Sequence, residues 1–247
     1  MGAKLIAGPR RGHRSRRPLG LMAPVALLAL GAVAFSGCGV SDATAIRPSL
    51  AFEVAGTSYT LDEVNDLVTD ACAYYATLAE DGAPATEVTT RSALRLQVVQ
   101  TLAGEVAVKA LLADTGASLV DGYDEQLASN EQGLATVPEA QRDAMRTLSE
   151  SSIYSQAGTI GLGQALLEQE GTAPATDPAD PTAALQAGQT RGAQAIAAWF
   201  TDADVVLNPV LGIALTDGAF TAADTGVAVK VGEDTPAEDL PASERCG

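Results

Sequence analysis

The chain has 247 residues and carries 31 acidic residues against 15 basic ones, so its formal net charge is −16 at pH 7. The length suits a single domain with terminal extensions. A strongly acidic surface repels nucleic acid and anionic lipid and attracts basic partners, so we expect no nucleic-acid ligand, although solubility alone also explains such a charge.

Residues 1–35 have the pattern of an export signal. Six basic residues and no acidic one lie within residues 1–17, and the 15 residues 21–35 carry no charge. That apolar run is shorter than the roughly 20 residues that a helix needs to cross a bilayer. A basic start, a short apolar run and small residues at its end predict a signal peptide over residues 1–37, with a membrane-spanning anchor helix as the alternative.

The predicted signal peptide ends in Phe35, Ser36, Gly37 and Cys38. This ending resembles the lipobox of bacterial lipoproteins, in which the cysteine becomes the first mature residue and carries acyl chains such as palmitate. Phe35 departs from the lipobox pattern, where an aliphatic residue is usual. The resemblance implies that Cys38 is lipidated and anchors the protein to the outer face of the cell membrane, since two or more acyl chains hold a protein stably. Residues 38–49 are then a tether.

Removal of the signal peptide changes what chemistry the chain can perform. The single histidine, His13, is lost with it, and nine basic residues remain against 31 acidic ones, a net charge of about −22. A chain without histidine has no Ser-His-Asp triad, no Cys-His pair and no histidine-ligated zinc site. The acid-rich stretches at 178–180 and 233–239 lack the alternating ligands of a calcium loop. We therefore expect no catalytic residue, no metal and no cofactor.

The folded part begins with a predicted strand over residues 50–55, where apolar residues alternate. Gly56 turns the chain. Thr60 followed by Glu63 is a capping box, which predicts that a helix begins at residue 61 and continues to about residue 81. Its apolar residues recur at steps of three and four and form a single stripe.

Four more helices follow in the sequence pattern. The first is apolar on more than one face, which is typical of a central helix packed on several sides. The third contains three glycines and could break there or near Ser151. The predicted helices cover residues 88–114, a short segment from Tyr123, residues 139–171 and residues 183–200.

The C-terminal part of the chain is extended again. Residues 204–215 and 226–231 predict strands, with a turn at 216–218. The predicted fold class is therefore mainly α: a helical bundle inserted between an N-terminal strand and C-terminal strands that form a small antiparallel sheet. This domain covers residues 50–231, and residues 232–247 form an acidic tail.

Three features within this domain are candidates for function. Gly158, Gly161 and Gly163 lie inside a helical pattern and lack the context of a phosphate loop, so they predict close helix packing or a kink. Trp199 and Phe200 could line a peptide groove, or they could pack in the core where the last helix meets the strands.

The third feature is the pair Cys72 and Cys246, which remain once Cys38 is acylated. An even number of cysteines in an oxidising compartment favours a disulfide. A bridge would tie the acidic tail to the first helix. The alternatives are a buried free Cys72 with a reactive tail thiol, or a link to another chain through Cys246.

Three segments resemble a known family. Residues 52–68 resemble the start of the SurA and PrsA group of exported folding factors, in which a strand, a glycine-containing turn and a capped helix follow one another. Residues 111–127 resemble the helix end, turn and new helix of that group. Residues 204–212 are similar to the returning strand of actinobacterial lipoproteins with a SurA-type N-terminal domain, although Val210 and Leu211 replace the basic or aromatic pair that is frequent there.

The resemblance implies the chaperone-like helical domain alone. Full members of the group also carry a parvulin prolyl-isomerase domain with a histidine-containing site, for which this chain has neither room nor histidine. We therefore expect a membrane-anchored, extracytoplasmic, chaperone-like lipoprotein that binds unfolded or extended polypeptides without catalysis. The alternative is an interaction lipoprotein that holds one dedicated cell-envelope partner. The sequence leaves the partner's identity and the oligomeric state open.

Overall fold

The computed structural model describes residues 48–80, 90–172, 181–223 and 241–246. Several predicted features lie outside these described residues: the signal peptide, the lipidation site Cys38, the strand at 226–231 and most of the acidic tail. The structure shows a mainly helical fold with small antiparallel sheets, whose strands precede and follow the five helices in the sequence, which confirms the predicted fold class.

Three short antiparallel strands connect the two ends of the domain. Strand β1 is Leu50–Val54, β2 is Thr57–Thr60 and β3 is Val205–Leu207, and their order in the sheet is β2–β1–β3. Phe52 at the centre of β1 lies opposite Tyr59 of β2 and Leu207 of β3. The first strand therefore pairs with a strand that follows all the helices, as predicted.

Strand β2 is an addition to the sequence prediction, which has only a turn in this region. Ala55 and Gly56 both have positive φ values, 47° and 82°. Two consecutive residues with positive φ form the type of tight turn that matches the twist of paired strands. Alanine is a weak signal for such a turn, because its β-carbon disfavours positive φ, so the hairpin is not evident from the sequence.

Five helices lie between β1 and the C-terminal strands. Their bounds agree with the predicted helices to within a few residues. The break considered near Ser151 or at the glycines does not occur, because the helix with the three glycines is continuous over 31 residues. The helices are α1 Leu61–Glu80, α2 Arg91–Thr115, α3 Tyr123–Leu134, α4 Glu139–Gln169 and α5 Pro181–Asp202.

The predicted capping box is present at the start of α1. The Glu63 carboxylate accepts a hydrogen bond from the Thr60 backbone N–H at 2.7 Å, and the Thr60 hydroxyl accepts one from the Glu63 N–H at 3.2 Å. Two hydrogen bonds from Thr60 lower the pKa of Glu63. The backbone N–H has the larger effect and the hydroxyl the smaller one. Strand β2 thus passes directly into α1, and the N–H groups of Thr60 and Glu63 at the start of the helix have hydrogen-bond acceptors.

We expect Thr60→Ala to lower the free energy of unfolding by about 1 kcal/mol, because it removes the hydroxyl that accepts from the Glu63 N–H. Urea denaturation followed by circular dichroism measures the change. Thr60→Ser is the matched control, since serine retains the capping hydroxyl and should stay close to the wild type. An unchanged midpoint for the alanine variant would show that the cap adds no stability.

Helix α2 is the centre of the bundle. It contacts α1, α4, α5 and the strands β1 and β5, and eight of its residues are buried. Among the described residues it is also the one helix that is long and apolar enough to cross a membrane by length and composition. Its apolar faces are covered by neighbouring elements, which confirms the prediction of a central helix packed on several sides.

The main core lies between the sheet, α1 and α2. Phe52 and Val54 of β1, Val64 of α1 and Val99 of α2 are all fully buried. The apolar stripe predicted for α1 faces this core. A smaller second cluster, built on Val108, Leu112 and Leu162, joins the C-terminal half of α2 to α4.

The glycines of α4 bring two helices into backbone contact. A β-carbon on Gly163 would collide with the carbonyl oxygen of Gly188 in α5, and one on Gly192 of α5 would collide with the carbonyl oxygen of Thr159. Glycines on both helices therefore permit an approach that any side chain would prevent. The prediction of close helix packing is confirmed.

The predicted extended segment at 204–215 divides into β3, a short 3₁₀ turn at Pro209–Leu211, and strand β4, Ile213–Thr216. Strand β4 pairs with β5, Ala219–Ala222, in a separate two-stranded sheet, and the predicted turn lies between them. The C-terminal strands thus contribute to two small sheets, whereas the sequence pattern predicts one.

Candidate ligand-binding cleft

A cleft of about 900 Å³ opens where the C-terminal end of α2 meets the loop that leads to α3. Lys109 of α2 and Tyr154 of α4 line it, together with loop residues 117–122 and the first turn of α3 from Tyr123 to Glu125. Four chain segments therefore border one open concave surface.

Two glycines of α4 hold the loop close to the helices. A β-carbon on Gly161 would collide with the carbonyl oxygen of Ser118, and one on Gly158 would collide with the Val108 side chain. The Val120 N–H also donates a hydrogen bond to a carbonyl of α4 at 3.3 Å. The glycine pattern noted in the sequence thus determines the shape of the cleft as well as helix packing.

Lys109 is the single lysine among the described residues and it lies in the cleft. It forms an ion pair with Glu105 one helical turn earlier, and its Nζ lies 5.3 Å from the centroid of the Tyr154 ring. The hydrogen bond to Glu105 raises the pKa of Lys109. The Glu105 carboxylate therefore neutralises the positive charge of Lys109.

Two tyrosines form the aromatic part of the cleft. The Tyr123 and Tyr154 rings meet edge to face, with centroids 6.0 Å apart and an interplanar angle of 88°. Both side chains are half-buried. Burial raises the pKa of Tyr123, and the nearby Tyr154 hydroxyl and the Glu150 carboxylate raise it further. The Tyr123 hydroxyl thus lies in a region of negative potential.

Carboxylates supply the remaining charge of the cleft. Asp121, Asp124 and Glu125 line it, and all three are exposed. Within the described part of the chain none of them takes part in an ion pair. Asp124 and Glu125 lie in the first turn of α3, where the helix dipole favours negative charge. The cleft therefore combines a net negative charge with two aromatic rings.

The predicted cysteine pair is at disulfide-bonding distance. The Cα atoms of Cys72 and Cys246 are 4.8 Å apart and their sulfur atoms are bonded. Cys72 is buried in α1, and Cys246 is partly buried against the same core. The structure therefore supports the internal bridge over the alternatives of free thiols or a link to another chain.

Two further contacts join the C-terminal segment to the start of α2. Thr90 and Arg245 form an isolated antiparallel bridge, and the Glu244 carboxylate accepts a hydrogen bond from the Ser92 N–H at 3.0 Å. Residues 241–246 of the predicted tail are consequently attached to the bundle beside α1 and α2.

Phe200, one of the two candidate groove residues, is buried. Phe200 is 5% exposed and lies in the main core, where its ring packs edge to face against Phe220 at 5.1 Å. Trp199 is half-buried and its ring contacts Phe200 at 5.2 Å. The two rings thus pack at the junction of helix and strands, which is the alternative that the sequence left open, and Phe200 is not accessible to a peptide.

Sequence reasoning missed the cleft residues because they are separated along the chain and share no motif. One signal was available: residues 38–247 contain only two lysines, Lys109 and Lys230, and Lys109 lies within an apolar helix. No group of three histidine, cysteine or acidic side chains among the described residues could hold a metal ion.

Comparisons with known proteins give no assignment: no protein-family model matches the chain, and no curated protein or solved structure matches it significantly. The resemblance to the SurA and PrsA group therefore stays a prediction from the three sequence segments. Any functional proposal must depend on the surface and the chemistry of the chain itself.

Proposed function

We propose that this protein is a non-catalytic, lipid-anchored lipoprotein that holds one dedicated partner at the outer face of the cell membrane. The observation that carries the proposal is the character of the surface. Only two large apolar side chains, Leu185 and Val210, are exposed among the described residues, at 40% and 76%. A protein that binds unfolded chains in general needs a continuous apolar surface, whereas the cleft described above is charged and aromatic.

The chaperone-like activity implied by the resemblance is the second candidate. The arrangement of strand, helices and returning strand favours it, because that order is the basis of the resemblance. The small exposed apolar area argues for the dedicated partner instead. Both candidates place the chain outside the cytoplasm, anchored through an acylated Cys38, and neither involves prolyl isomerisation or any other reaction.

We propose a non-catalytic protein because of the amino-acid composition of residues 38–247. Residues 38–247 contain no histidine, which removes the commonest general acid–base group. The carboxylates of the cleft are exposed to solvent, whereas catalytic acids and bases usually lie in sites that exclude water.

The experiment is crosslinking capture from intact cell envelopes, with Cys38→Ala as the comparison. We expect wild-type protein to enrich one partner, and that purified partner to bind it at a fixed stoichiometry. Cys38→Ala should either leave the membrane fraction or stay unprocessed with its signal peptide attached. The released chain should lose the enrichment, because the acyl chains hold the protein beside its partner.

A parallel assay separates the two candidates. We expect no suppression of the aggregation of a chemically unfolded model protein. Capture of many unrelated exported chains, together with suppressed aggregation, would reject the dedicated-partner proposal in favour of the chaperone-like one. A wild-type chain whose N-terminus is unmodified and lies downstream of Cys38 would reject the lipid anchor.

A further inference from the structure

We propose that the cleft between α2, α3 and α4 binds cationic side chains, arginine or lysine, of a basic segment of the partner protein. This inference rests on the proposed function, because it states how the dedicated partner is recognised. Its basis is one cleft that holds three carboxylates, those of Asp121, Asp124 and Glu125, beside the aromatic rings of Tyr123 and Tyr154. None of the three carboxylates forms an ion pair with a residue that the structure describes.

The charges of the cleft are not balanced internally. Lys109 is the basic side chain that lines it, and Glu105 already pairs with that lysine. The carboxylates of Asp121, Asp124 and Glu125 are therefore left without a counter-ion among the described residues. A cation that enters the cleft gains their attraction, which is stronger within a concave site than on an open surface.

The aromatic rings suit the same kind of ligand. Lys109 Nζ lies 5.3 Å from the Tyr154 centroid, within the range of a cation–π contact, so this environment already accommodates an ammonium group over a tyrosine ring. Tyr123 supplies a second ring beside it, and the nearby carboxylates increase the negative potential at that ring. An arginine side chain can stack on such a ring and donate hydrogen bonds to carboxylates at the same time.

Other ligand classes fit less well. A phosphate or an anionic lipid would meet three carboxylates and a mature chain with a net charge of about −22. Among the described residues no group of side chains has the arrangement needed to hold a metal ion. The volume of about 900 Å³ and its open form suit side chains that project from an extended or loop segment of another protein.

The test uses the mature protein and a fluorescein-labelled peptide of alternating arginine and serine, with an alternating glutamate and serine peptide as the negative probe. Fluorescence anisotropy measures the dissociation constants at low salt and at about tenfold higher salt. We expect the arginine peptide to bind, the glutamate peptide not to bind, and the affinity for the arginine peptide to fall as salt rises.

Two site variants locate the binding. Asp124→Asn combined with Glu125→Gln should weaken binding about tenfold, because it removes two charges from the cleft. Tyr123→Leu should weaken it about fivefold without any change of charge, because it removes a ring that contacts the cation.

The matched control is Asp66→Asn combined with Glu168→Gln. These exposed residues lie on α1 and near the end of α4, do not line the cleft, and give the same change of net charge. We expect their double variant to bind within about twofold of the wild type. Circular dichroism of every variant confirms that the helical fold is retained.

Three results would overturn the inference: no binding of the arginine peptide, equal weakening by the site pair and the control pair, or no effect of Tyr123→Leu. Equal weakening would mean that diffuse acidity, and not the cleft, attracts the peptide. If the partner captured from envelopes binds the site variants as well as it binds the wild type, this inference fails and the proposed function stands. If no partner is captured, the proposed function fails whatever the peptide result.

Discussion

Gly163→Ala is expected to lower the free energy of unfolding by about 3 kcal/mol, even though alanine is a better helix former than glycine. A β-carbon at position 163 would collide with the carbonyl oxygen of Gly188 and would lie 2.6 Å from the backbone N of Gly192. Both groups belong to the α5 backbone, which cannot move aside in the way that a flexible side chain can. The variant therefore has to separate α4 from α5.

Separation of α4 from α5 would also disturb the contacts that α4 makes with other parts of the fold. The same glycine-rich part of α4 carries Gly158 and Gly161, which pack against Val108 and the backbone of Ser118. A shift of α4 would loosen the loop that lines the cleft. We therefore expect Gly163→Ala to weaken ligand binding at the cleft as well as to lower the free energy of unfolding.

Gly133→Ala is the matched control for this prediction. Gly133 is exposed in α3, and a β-carbon there would meet no atom within 4 Å. The same substitution should raise stability by about 0.5 to 1 kcal/mol, because alanine loses less conformational entropy in a helix. Urea denaturation of both variants measures the two changes. Equal effects of both substitutions would show that α4 and α5 are not in backbone contact.

The glycine contacts also show how far the sequence can predict this fold. Three glycines inside an otherwise helical pattern predict close packing, and the structure confirms it. The pattern could not identify Gly188 and Gly192 as the partners of Gly163, because helical periodicity describes one helix and carries no information about which other helix faces it.

The sheets show a second limit. The alternating residues of β1 and the extended segment at 204–215 are evident in the sequence, and β1 pairs with β3 as expected. Strand β2 was missed because Ala55 adopts a positive φ that its residue type does not signal. The separation of β4 and β5 into their own sheet depends on the 3₁₀ turn at Pro209–Leu211, whose effect on pairing is tertiary.

The cleft was the least predictable feature. Its lysine comes from α2, its two tyrosines from α3 and α4, and its acids from the loop and the first turn of α3. Each of these residues alone is typical of a solvated surface. Only the packing of α4 against the loop brings them together, and that packing depends on glycines that carry no chemistry of their own.

Cys246→Ala is expected to lower the free energy of unfolding by about 4 kcal/mol. The disulfide spans 174 residues, and the entropy of loop closure in the unfolded chain corresponds to about 5 kcal/mol for a loop of that length, whereas measured losses are more often 2 to 4 kcal/mol. Cys246 is preferable to Cys72 for this test because it is only partly buried. Substitution of Cys72, which is 2% exposed, would also disturb the core.

The contacts that remain in the variant cannot replace the bond. The Thr90–Arg245 bridge and the Ser92–Glu244 hydrogen bond are local, and single exposed hydrogen bonds contribute about 1 kcal/mol each. We therefore expect the segment at 241–246 to be cleaved readily by protease in Cys246→Ala and to be protected in the wild type.

The measurement uses a soluble form that begins after Cys38, so that Cys72 and Cys246 are the only cysteines present. The control is a reducing agent: reduction should destabilise the wild type by a similar amount and leave Cys246→Ala unchanged, because the variant has no disulfide to reduce. Thiol labelling of the native wild type without reductant should find no free thiol. Two labelled thiols, or a variant as stable as the wild type, would contradict a bridge that closes most of the domain into one covalent loop.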